Sequence, residues 1–113
     1  MTSRKLRTFE EKVNGFLKYS IYAGSWYKPK YLKKYAYLSE AEIDELIAKC
    51  REIEYFAIDL AKQLSFNEQI WNSGRLTNEI KDYMEPLIRA RYPYLEPMRV
   101  LSVIGLGWLY TVK

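Results

Sequence analysis

The chain has 113 residues, 49% of them hydrophobic and 28% charged, with 11 tyrosines, one cysteine, no histidine and a formal charge of +4. That length suits one compact domain, with a radius of gyration of about 13 Å and roughly two-thirds of the unfolded surface buried, and needs no disulfide. The missing histidine excludes the commonest general base, the usual zinc ligand and any Ser-His or Cys-His nucleophile pair.

The expected organisation is a single helical domain over 1–113, with residues 1–8 forming a flexible basic tail. Thr8 and Glu11 have capping-box spacing, and Phe9, Val13, Phe16, Leu17 and Ile21 follow at helical intervals, which predicts a helix over about 9–23 stopped by Gly24. Residues 25–30, around Pro29, read as a loop. Tyr31 and Tyr35 lie one helical turn apart, so a short helix is expected over 30–37.

Ser39 and Glu42 repeat the capping box and open the strongest signal of the chain. Ile43, Leu46, Cys50, Ile53, Ala57, Leu60 and Leu64 alternate spacings of three and four, a continuous stripe on a helix over 39–64. Ile47, Phe56 and Ala61 widen it to the breadth of a bundle face, while Tyr55 and Ile58 fall away from it. At 1.5 Å per residue that helix is about 39 Å long, which implies an elongated bundle or a dimer. Ser65 with Glu68 suggests a third cap and a short helix ending near Gly74. Thr77 or Asn78 caps the next helix, with Ile80, Met84, Leu87 and Ile88 on one side, a kink or a break near Glu85 caused by Pro86, and an end at Pro93. Residues 98–113 mix β-branched and aromatic side chains with Gly105 and Gly107 and read as a buried helix or a hairpin. The fold class is therefore mostly all-α: a small helical bundle with one long central helix and a C-terminal segment that is a helix or a short hairpin.

The candidate chemistry is sparse. Cys50 sits in the apolar stripe and reads as a small core hydrophobe. Glu40, Asp44, Glu45, Glu52, Glu54 and Asp59 form a solvated face, because a carboxylate-bundle metal site needs Glu-x-x-His pairs. Gly105-Leu106-Gly107 lacks the third glycine and the lysine of a phosphate loop. No catalytic, cofactor or metal residue is assigned, and no motif specific to a known family appears.

The charge is uneven. Residues 1–37 hold nine basic and two acidic side chains, a net +7, whereas residues 38–64 hold three and seven, a net −4. Six of the 11 tyrosines also fall between 19 and 37. The resulting interaction candidates are Trp26, Tyr27, Lys28, Lys30, Tyr31, Lys33, Lys34, Tyr35 and Tyr37. Tyrosine and tryptophan anchor protein interfaces at little entropic cost. The same rings can stack on unpaired bases while lysines neutralise phosphates, and Arg4, Lys5 and Arg7 extend that track. The opposing expectation is that the rings pack inward while the lysines reach water or the acidic helix.

The first reading is thus a non-catalytic interaction protein, an adaptor, inhibitor or assembly subunit, binding a protein partner or itself. The second is nucleic-acid binding through residues 4–37. Association with an anionic membrane surface, through the basic N-terminal segment or the apolar C-terminal one, ranks third, and no small-molecule substrate is implied. The longest charge-free run, residues 100–112, is thirteen residues, short of the roughly 20 that span a bilayer. A lone cysteine and no cleavable signal pattern lead to the expectation of a soluble cytoplasmic protein.

Overall fold

The computed structural model describes residues 8–23 and 26–112. Five helices run in order: α1 (Phe9–Ala23), α2 (Lys28–Lys34), α3 (Glu40–Leu64), α4 (Asn78–Arg91) and α5 (Pro97–Thr111), with no strand among the described residues. The fold is all-α with one long central helix, as the periodicity implies. The basic tail, including Arg4, Lys5 and Arg7, and the helix stop at Gly24 lie outside the described residues. Packing divides the chain into two compact units, 1–51 and 52–113, with the boundary inside α3.

Unit 1 contains α1, α2 and the first half of α3. The Thr8 hydroxyl accepts the Glu11 backbone N–H at 3.1 Å, so the first cap forms where the sequence places it. At the second cap the Glu42 N–H donates to the Ser39 hydroxyl at 3.2 Å. The Ser39 backbone N–H in turn is the first cause holding the Glu42 carboxyl below its ordinary value, with Lys12 second. The inward stripe buries Val13, Phe16 and Leu17 from α1 with Ile43, Leu46 and Cys50 from α3. Cys50 is a free, buried thiol whose Sγ lies 3.7 Å from the Val13 carbonyl. The expected loop over 25–30 is too long by three residues: α2 starts at Lys28, because proline is tolerated in a first helical turn, where its missing N–H has no helical partner.

Unit 2 contains the second half of α3 with α4 and α5. Ile53, Ala57, Leu60, Ala61 and Leu64 face inward with Ile80, Met84 and Ile88 of α4 and Val100, Val103 and Ile104 of α5. Thr77 caps α4 by accepting the Ile80 N–H at 3.3 Å. The helix expected over 65–74 does not form. Ser65 bonds back to the Lys62 carbonyl, while the Asn67 side chain accepts from Gln69 N–H and the Asn72 side chain from Gly74 N–H. Asparagine side chains thereby offer the backbone turn bonds that compete with a helix. Nor does Pro86 break α4, which continues to Arg91. Both Pro86 and Asp82, whose carbonyl the proline leaves without an N–H donor, lie at the solvent face, while Met84 and Ile88 are buried on either side of the proline. The Glu85 carboxylate also bridges the proline turn to Arg89 at 2.8 Å.

Residues 97–111 are a helix, not a hairpin, and Gly107 explains the irregular pattern there. A Cβ at Gly107 would stand 2.6 Å from the Ala57 carbonyl oxygen, so α5 meets the α3 backbone at a separation only glycine permits. Gly105 has open space where its side chain would be.

Candidate interaction surfaces

The tyrosine-lysine segment is sorted by the rotation of α2. Tyr31 and Tyr35, one turn apart, both turn inward and are buried. Tyr35 stacks on Phe16 with ring centroids 4.4 Å apart, and Tyr31 lies 5.1 Å from both Phe16 and Tyr19. Half-buried Trp26 covers the other side of Tyr31 at 5.3 Å. Such ring pairs add about 0.5–1.5 kcal/mol each beyond area burial, so this segment supplies an aromatic core for unit 1. The Tyr35 hydroxyl donates to the Gly15 carbonyl at 3.2 Å. Burial, with the neighbouring phenols Tyr37 and Tyr19, pushes the Tyr35 phenol well above its ordinary value.

The lysines divide between two roles. Lys28 bonds Glu40 at 2.7 Å and Asp44 at 2.8 Å, and these bonds, Asp44 first, raise its pKa above the ordinary lysine value. Lys12 reaches Glu42 at 3.4 Å. Basic side chains from α1 and α2 thus neutralise part of the acidic start of α3. Burying Tyr31 and Tyr35 puts Lys33 on the opposite side of α2 and Lys30 and Lys34 together on one flank, and all three are exposed. Neither Lys33 nor Lys34 pairs with a carboxylate among the described residues; the Lys34 ammonium lies 5.4 Å from the Tyr19 ring centroid. Tyr27 at the start of α2 is 57% exposed and Tyr37 just beyond its end is 41% exposed. Of the nine predicted residues, the accessible group is therefore Tyr27, Lys30, Lys33, Lys34 and Tyr37.

A second surface lies in the apolar C-terminal segment, which the sequence offered only as a membrane contact. On α5, Met98, Leu101, Gly105 and Leu109 fall within roughly 80° of the helix circumference at 3.6 residues per turn. Met98 is 62%, Leu101 43% and Leu109 46% exposed, and no charge occurs from Val100 to Val112. Residues 98–112 are therefore a helix with an apolar face on each side, only one of which is buried. Leu87 of α4, expected inward with Ile80, Met84 and Ile88, is also exposed, as is Tyr83. Because α4 turns its 80–84–88 line to the core, with Lys81 and Glu85 half-buried on one flank, Leu87 falls on the other, wetter flank. A pattern apolar on all sides is the available signal for such a face, since a helix of that kind normally has all its sides covered.

Among the described residues no group of three or more His, Cys, Asp or Glu side chains is arranged to hold a metal ion, and no helix is long and apolar enough to cross a membrane. The described residues form an all-α fold of five helices, and their exposed features include a basic face on α2 and an apolar face on α5. No family model, curated protein or solved structure matches the chain.

Proposed function

We propose that the protein is a small non-catalytic interaction module that associates with a second copy of itself through the outward face of α5. The observation supporting this reading is the exposure of Met98, Leu101 and Leu109 on one charge-free side of a helix whose other side is already in a core. Apolar area left in water is a standing driving force of about 25 cal/mol per Å² for whatever covers it.

Charge selects the occupant. Unit 1 carries eleven basic and six acidic residues, a net +5, whereas unit 2 carries seven and eight, a net −1. The apolar face belongs to the nearly neutral unit, so two copies meeting there incur little like-charge repulsion. Light scattering on the purified chain tests the reading. The expected mass is that of two chains at both low and high salt, because apolar contact is not screened, and Leu101→Glu with Leu109→Glu returns the single-chain mass. A single-chain mass for the unaltered protein across the micromolar range overturns it.

A further inference from the structure

We infer that the outward side of α2, Lys30, Lys33 and Lys34 flanked by Tyr27 and Tyr37, is a docking surface for single-stranded nucleic acid. It stands on different residues from the α5 surface and on the other unit. The first ground is charge. Lys28 and Lys12 spend their charge on the first turns of α3, whereas Lys33 and Lys34 have no carboxylate partner among the described residues. Positions 30, 33 and 34 are helical neighbours with Cβ atoms about 5–6 Å apart, the scale of successive phosphates along an extended strand.

The second ground is the placement of the rings. Tyr27 precedes α2 and is 57% exposed, and Tyr37 lies three residues beyond its end, 41% exposed with its ring edge-to-face with Tyr35, so a tyrosine flanks the lysine row on each side as a stacking partner for a base. Stacking needs unpaired bases, which favours a single strand over a duplex. A bilayer is a poorer fit because α2 has turned Tyr31 and Tyr35 into the core and keeps one exposed aliphatic side chain, Leu32, where an inserting helix needs a continuous apolar stripe. An acidic peptide is also poorer: lysine makes point contacts with carboxylates where arginine makes bidentate ones, and such a peptide makes no use of the flanking rings.

Fluorescence anisotropy with a labelled oligothymidylate and the full chain tests the inference. Three phosphate contacts on a single strand predict a log–log salt slope of about −2, roughly a 20-fold loss of affinity between 50 and 200 mM salt, and additional contacts only steepen it. Lys33→Gln with Lys34→Gln should flatten the slope by about 1.4, and Tyr27→Ala or Tyr37→Ala should weaken binding about tenfold with the slope unchanged. Lys33→Gln alone, which removes no ion pair, provides the same reading should the double variant fold poorly, with about half the change in slope. Leu101→Glu leaves the slope unchanged, so failure of the α5 reading is distinguishable. Salt-insensitive binding, no binding, or binding indifferent to the lysine variants overturns the inference. So does tighter binding to a duplex, to polyglutamate or to phosphatidylserine vesicles than to the single strand.

Discussion

The two units of this chain dispose of their side chains in opposite ways. Unit 1 places large aromatic rings at the centre, Phe16, Tyr31 and Tyr35, and shows lysines to water. Unit 2 fills its centre mainly with aliphatic residues such as Ile53, Ile80, Met84 and Ile104 and shows apolar groups, Met98, Leu101 and Leu109. The contrast teaches that apolar residue count predicts neither core nor surface. What decides is whether a helix has one packed side, as α2 has, or apolar groups around its whole circumference, as α5 has.

The largest test of that contrast is Phe16→Ala, which removes the ring against which Tyr31 and Tyr35 pack. A loss of about 4 kcal/mol in urea unfolding is expected. A loss below 1 kcal/mol would show that the rings of unit 1 are not its core. In unit 2 the corresponding weak point is a backbone contact. Gly107→Ala forces a Cβ to 2.6 Å from the Ala57 carbonyl and should cost about 2–3 kcal/mol; a neutral result would mean that α5 does not lie so close to α3.

Arg99 exposes a different cost within unit 2. The side chain is only 8% exposed, and its Nε and Nη1 have no hydrogen-bond partner among the described residues. Two buried N–H groups left without acceptors are destabilising, so Arg99→Met, which keeps the stem, should raise stability by about 1–2 kcal/mol and the melting temperature by several degrees. A lower melting temperature would reveal an acceptor for that guanidinium.

Alkaline pH compares the units again, and by a smaller effect. Burial, and secondly the 2.8 Å bond its hydroxyl donates to Glu52, push Tyr92 in unit 2 up to about 12, while Tyr35 in unit 1 lies well above its ordinary value. In both cases the folded state holds the proton more tightly than the unfolded state. Their contribution is therefore complete below pH 10 and is lost as pH rises toward 12 and beyond. Unfolding midpoints should fall between pH 9.5 and 11.5, with a shallower fall in Tyr35→Phe; a flat profile in the unaltered chain would contradict the burial of both phenols. The smallest change is Gly105→Ala. Within one chain open space surrounds that position, so the gain for the single chain is the helix propensity alone, about 0.5–1 kcal/mol, and a loss would mean that a second copy contacts Gly105.

Local chemistry made much of the fold legible. Caps at Thr8, Ser39 and Thr77 depend on residues three positions apart, and the stripe from Ile43 to Leu64 depends on spacing along one helix, so both survive in the linear pattern. The errors lie where two local options compete. Ser65 offered a cap while Asn67 and Asn72 offered turns, and the turns prevailed. Pro86 opposed a helix that the burial of Met84 and Ile88 on either side of it carries through. The candidate surface was legible as a segment but not as a face: nine residues between Trp26 and Tyr37 share a composition that says nothing of which ones turn inward.

By itself the sequence determined a mostly α-helical chain, its long central helix and the apolar position of Cys50, because periodicity and capping act over three to seven residues. Only tertiary structure decided that Lys28 pairs with Glu40 and Asp44 while Lys33 faces water, that Tyr31 is core while Tyr27 is surface, and that Leu101 is exposed while Val100 is not. Neighbours such as Val100 and Leu101 are separated by helix rotation, which is set by partners distant in the chain, while Tyr27 stays at the surface because it lies ahead of the first turn of α2.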